Sequence, residues 1–119
     1  MLLNAIERGP ENGDGADLPP IVFLHGLFGR ARNFGSFQKR LAGTQRTVAL
    51  DLRNHGDSPH GPMDYPTMAE DVCETLAHLG IGRARIVGHS MGGKTGMMLA
   101  LTHPESVAKL LVADIAPGE

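Results

Sequence analysis

The chain has 119 residues, 41% of them hydrophobic and 20% charged, which suits one ordinary globular domain and excludes a fibrous or low-complexity class. Eleven basic and thirteen acidic residues leave a formal net charge of −2, and no block of like charge marks a nucleic acid or an anionic membrane as partner. A single cysteine, Cys73, excludes an internal disulfide framework and a cysteine-rich zinc site, and it is expected to pack inside a helix. Met1-Leu2-Leu3 runs at once into Asn4, Glu7 and Arg8 rather than into an apolar signal segment, and no run is long enough to span a membrane, so the cytoplasm is the expected compartment.

In chain order, Leu2 to Ile6 is predicted as an entering strand, followed by a glycine- and proline-rich loop from Gly9 to Pro20. Ile21-Val22-Phe23-Leu24, Val48-Ala49-Leu50, Arg85-Ile86-Val87 and Leu110-Leu111-Val112-Ala113 are short apolar runs of the kind that parallel strands buried on both faces present. Helical spacing fills the gaps. Phe34, Phe37 and Leu41 recur on one face, and so do Met68, Val72, Leu76 and Leu79, with Glu70, Asp71 and Glu74 expected outside and Thr67 as N-cap. Gly80 and Gly82 close that helix. Met91 to Thr102 forms the next, ended by His103-Pro104, and its Met97-Met98 pair is expected to pack on the sheet. The alternation predicts an α/β fold, mainly a parallel sheet with crossover helices, over residues 1–119 as one domain.

Gly88-His89-Ser90-Met91-Gly92 is a G-x-S-x-G that directly follows a strand and directly precedes a helix. A nucleophilic serine needs a tight strand-to-helix turn to lift its hydroxyl clear of the sheet, and flanking glycines let the backbone pass without Cβ clashes. The helix behind it aims N–H groups and a positive dipole end at any oxyanion formed there. The bland alternative is a glycine-rich turn whose serine merely caps the helix. His25-Gly26-Leu27-Phe28-Gly29 sits at the end of the preceding apolar strand, where a turn can offer a second donor to the same oxygen; the main-chain N–H groups of Leu27 and Met91 are the expected pair. The bland alternative for His25 is an imidazole satisfied by backbone in an ordinary turn. Asp51-Leu52-Arg53-Asn54-His55-Gly56-Asp57-Ser58 closes the next strand with turn chemistry at nearly every position. Gly88, Gly93, Lys94 and Thr95 also satisfy G-x-x-x-x-G-K-[ST], and Leu110 to Asp114 resembles a strand ending in a magnesium-binding aspartate. A phosphate-binding loop would give Ser90, the His25 turn and the Asp51 turn nothing to do.

Together with Val112-Ala113-Asp114-Ile115-Ala116-Pro117, these ordered motifs resemble the α/β-hydrolase superfamily, specifically the small bacterial esterases and their mitochondrial relatives of the abhydrolase-domain class, over essentially Leu2 to Gly118. The resemblance implies Ser90 as nucleophile, Leu27 and Met91 as oxyanion donors, and His25, Gly26, Gly88, His89 and Gly92 as supporting residues. The substrate it implies is a small-molecule carboxylic ester or thioester, and no metal or organic cofactor. Arg53 to Ser58 would be a structural loop beside the site, with His55 ordering its turns. In this superfamily the triad follows in the order serine, acid, histidine. Asp114 is one place for the acid; the other is one strand later, beyond Glu119. Five histidines precede Ser90, and His103, the single one after it, lies a helix length away, on the order of 15–18 Å at 1.5 Å per residue. No histidine therefore fits the general base, and the chain is expected to be the N-terminal part of such an enzyme, lacking the cap, the C-terminal strands and the histidine loop. The last strand would then be an exposed apolar edge open to self-association. A non-catalytic remnant that keeps the fold is the alternative function.

Overall fold

In the computed structural model, which describes residues 1–10 and 18–113, apolar runs become strands and the helical patterns between them become crossovers. The strands are β1 (Ala5–Arg8), β2 (Ile21–Leu24), β3 (Thr47–Leu50), β4 (Ala84–His89) and β5 (Val107–Ala113). The helices are α1 (Gly35–Leu41), preceded by a 3-10 turn at Ala31–Phe34, then α2 (Tyr65–His78) and α3 (Met91–Thr102). Sheet order is β1-β3-β2-β4-β5, with β1 antiparallel to β3 and every other neighbouring pair parallel. The entering strand thus forms three residues later than predicted, because its hydrogen bonds to β3 run from Ala5 opposite Leu50 to Arg8 opposite Thr47.

Strand alternation splits the core in two. Val22, Leu24, Val48, Leu50 and Ile86 face Met68, Val72 and Leu76 of α2 and Leu99 of α3, all essentially sealed from solvent. On the opposite face Phe23 and Ala49 meet Ala31, Phe34 and Leu41, with Phe23 and Phe34 stacked at 4.9 Å between ring centroids. Among the described residues this second face carries only the 3-10 turn and α1. A shallow, wholly apolar depression over Phe23, Val87 and Leu111 is left beside it.

Four sequence expectations are corrected. β5 is not buried on both faces: Leu111 is 63% exposed, since among the described residues β5 pairs with β4 alone and no helix covers its second face. Thr67 is not the N-cap of α2; Asp64 is, its carboxylate accepting the Thr67 N–H at 2.7 Å, with Pro66 in the first turn where a missing N–H costs nothing. Asp71 is not on the outer face but 2% exposed, because Arg53 donates to both its carboxylate oxygens at 2.8 and 2.9 Å. Only Met98 of the methionine pair packs against the core, while Met97 is 44% exposed. The close of α2 is as predicted, with Gly80 and Ile81 donating N–H groups to the carbonyls of Ala77 and Leu76. Cys73 is half-buried on the α2 side of the core, where burial pushes its thiol pKa up. Among the described residues no helix is long and apolar enough to cross a membrane.

Candidate active site

The chain leaves β2 toward β3 on one side of the sheet, whereas β4 lies on β2's other side, so the strand order reverses between β2 and β4. In an open α/β sheet that reversal leaves a crevice at the carboxyl ends of the two strands. Leu24 stands opposite Gly88 in the register, which brings the turns after β2 and β4 level with each other.

Ser90 occupies the turn after β4 at φ 54° and ψ −111°, a conformation that L-residues rarely adopt. Its N–H reaches the Ala113 carbonyl at 3.3 Å, tying the turn to the end of β5. Its side chain makes no capping hydrogen bond to α3, so the helix-cap alternative fails and the hydroxyl is left to the cleft. The turn is that tight only because its glycines have no side chains. A Cβ on Gly92 would overlap the Leu24 carbonyl and stand 2.6 Å from that of His25, and one on Gly88 would strike Gly92. α3 begins at Met91, whose N–H, like those of the next two residues, has no intrahelical acceptor, the first such bond running from Lys94 N–H to Ser90 O. The same start removes the phosphate-loop alternative, because Gly93, Lys94 and Thr95 already lie inside the helix, and the fully buried Thr95 hydroxyl donates to the Met91 carbonyl.

Across the cleft, the turn 25–29 is held by its own hydrogen bonds. Gly26 O accepts both the Gly29 N–H at 2.9 Å and the His25 Nδ1–H at 2.7 Å. The Leu27 N–H has no partner among the described residues. Leu27 and Ser90 line one cleft of about 540 Å³ with His25, Gly26, His89 and Phe34, and Phe28, 89% exposed, stands at its mouth. The Met91 side chain instead lines a smaller hollow with Met63, Tyr65 and Met68.

Behind the cleft, Asp51 ties the turn at the end of β3 to its surroundings. One carboxylate oxygen accepts the Ala31 N–H at 2.7 Å and the other the Asp57 N–H at 3.0 Å and the Asn4 side-chain amide at 2.9 Å. Burial alone would push this carboxyl pKa up, but those donors outweigh it and hold the group below the ordinary aspartate value. Burial lowers the His25 pKa, against a smaller opposing effect of its bond to Gly26. His103 is pushed up by its 2.6 Å contact with Glu70, at the far end of α3 from Ser90.

The family described by the alpha/beta hydrolase fold matches residues 19–117. The chain belongs to the α/β-hydrolase family. Over 89% of its length this α/β-hydrolase is 50% identical to the mouse (Mus musculus) sn-1-specific diacylglycerol lipase ABHD11, and over 82% it is 44% identical to esterase YbfF of Escherichia coli. The matched segment is 35% of the first and 39% of the second, so the chain spans little more than a third of these relatives. A solved structure titled marine microorganism esterase superposes on all of the chain and 44% of its own with a TM-score of 0.87 at 40% identity. The relatives are esterases and lipases by name, and the α/β fold with its mainly parallel sheet is the one the motifs implied.

Of the residues that sequence reasoning placed at the site, Ser90, Leu27, His25, Gly26 and His89 share the cleft, while Gly88, Met91 and Gly92 build the turn beneath it. Asp114 lies outside the described residues. Sequence reasoning did not find Asn33, whose side-chain oxygen accepts the Arg30 N–H at the cleft wall, nor the roles of Asp51 and Asp71. No local signal marks Asn33. For the other two, the partners Ala31, Asn4 and Arg53 lie 18 or more residues away along the chain.

Proposed function

We propose that the chain carries the nucleophile and oxyanion-hole half of a serine hydrolase that cleaves small-molecule carboxylic esters or thioesters through an acyl-enzyme. Ser90 Oγ attacks the substrate carbonyl, and the N–H groups of Leu27 and Met91 receive the negative charge that develops on its oxygen. The observation that carries this reading is Ser90 itself: a left-handed serine between a strand and a helix, its hydroxyl not used as a cap, beside a cleft lined by a turn whose Leu27 amide has no partner among the described residues. The names of the relatives, an esterase and a diacylglycerol lipase, support an ester as substrate. Leu27, Phe28 and Phe34 give the cleft walls that suit an apolar acyl or alcohol group.

A serine hydroxyl is a weak nucleophile at neutral pH and needs a base. His25 and His55 cannot serve, since both nitrogens of each ring are engaged with backbone groups, and His103 is held by Glu70 away from the cleft. The base in this reading is a histidine outside these 119 residues, oriented by Asp114 or by an acid further along. Labelling with a fluorophosphonate probe, read by mass spectrometry, tests the assignment. In the intact protein the adduct is expected on Ser90 and is lost in Ser90→Ala. An intact, folded protein that hydrolyses p-nitrophenyl esters without labelling at Ser90 overturns the assignment; one that neither labels nor hydrolyses supports a non-catalytic module.

A further inference from the structure

Two histidines behind the cleft have tautomers that their neighbours dictate. His55 Nδ1 lies 2.9 Å from the Arg53 carbonyl, which can only accept, so Nδ1 carries the proton. His55 Nε2 is then an acceptor, and the group facing it at 3.2 Å is the Phe28 N–H, which can only donate. His25 repeats the pattern from the opposite loop: Nδ1–H donates to Gly26 O and Nε2 accepts the Leu52 N–H at 2.9 Å. Each loop thus lends an imidazole to the other's backbone, and the two rings stand 4.9 Å apart.

The consequence falls on one peptide. Phe28 sits at φ 65°, in the left-handed region that a phenylalanine occupies only at a cost. Its side chain is almost wholly exposed, so packing of the ring does not hold it there. Two hydrogen bonds anchor it: Gly29 N–H to Gly26 O closes the turn around it, and its own N–H reaches His55 from the neighbouring loop. That N–H belongs to the peptide joining Leu27 to Phe28, so fixing it fixes the plane immediately after the Leu27 amide.

We propose that His55 is a positioning residue for the oxyanion hole: as a neutral Nδ1–H imidazole it accepts the Phe28 N–H and holds the turn in the conformation that leaves the Leu27 N–H directed to the cleft. The inference rests on the serine-hydrolase reading given above. His55 touches no reacting atom. It acts by keeping a donor where charge develops, an effect felt in the transition state more than in substrate binding.

The test compares His55→Leu, which keeps the bulk and loses the acceptor, with His55→Gln, whose amide oxygen can reach the place of Nε2, in the intact protein. With p-nitrophenyl butyrate, His55→Leu is expected to lower kcat by about 10- to 100-fold with KM changed less than about threefold, and His55→Gln to recover most of the loss. Hydrogen exchange of the Phe28 amide, followed by NMR, is expected to speed up at least tenfold in His55→Leu and to return toward the parent rate in His55→Gln. Unchanged kcat and unchanged Phe28 exchange in a folded His55→Leu overturn the proposal, as does a His55→Gln no better than His55→Leu in both readouts. Failure of the underlying reading is distinguishable: Ser90→Ala would then retain hydrolysis, while the Phe28 exchange would still decide whether His55 holds the turn.

Discussion

At Ser90 the backbone conformation and the side chain serve different ends. A non-glycine residue at φ 54° stores strain of about 1–3 kcal/mol, and the fold carries it because neighbouring strands fix both ends of the turn. Ser90→Gly is therefore expected to melt above Ser90→Ala although neither can attack a carbonyl, which calorimetry of the two variants would check. Gly92 sets the opposite constraint. Gly92→Ala forces a methyl group against the Leu24 carbonyl and is expected to cost at least about 1–3 kcal/mol in urea unfolding, or to abolish folding. His25 adds a pH dependence. Its folded pKa lies below the ordinary imidazole value, so the unfolded chain binds the proton more readily. Stability from this group is complete above about pH 6.5 and falls as the pH drops from there through the lowered folded value. Urea midpoints at intervals from neutral pH downward are expected to show that decline, and His25→Gln to flatten it. The glycines and the serine were legible because the turn is written in five adjacent residues. The contacts between the two loops were not, since each imidazole's Nε2 accepts from a backbone N–H 27 residues away along the chain.

At the scale of elements, every strand and α-helix was foreseen, and the errors concern their ends, the charged residue Asp71, and the apolar residues Met97 and Leu111, which were expected to be covered. The cap of α2 was placed next to Met68, whereas the helix begins earlier, with Tyr65, Pro66 and Thr67 after Asp64, and Tyr65 extends the apolar face of Met68 and Val72 by one turn. Asp71 was read as a solvent-facing charge because α2 alone offers it no partner; Arg53, from the loop after β3, crosses over to pair with it, also bonding the Pro62 carbonyl. A carboxylate left buried without its guanidinium is worse than no charge at all. Arg53→Met is accordingly expected to lower the melting temperature, and the double variant Arg53→Met/Asp71→Leu to recover part of the loss, as a thermal double-mutant cycle would measure.

Across the whole molecule the two faces of the sheet are unequal. One is closed by α2 and α3; among the described residues the other has only the 3-10 turn and α1, with Leu111 and Phe37 more than half exposed beside it. Produced as these 119 residues alone, the chain is expected to associate through that face and the β5 edge, and Leu111→Lys to shift it toward monomer in light scattering. The parts of the proposed site that are described here, by contrast, lie between His25 and Met91 on two adjacent central strands. As the chain emerges from the ribosome, the turn around Ser90 can close once β5 has joined the sheet, while the apolar side of the sheet is still bare. Changes on that side should consequently register in how much protein a cell recovers, through aggregation or proteolysis of the nascent chain, before they register in what each surviving molecule can do.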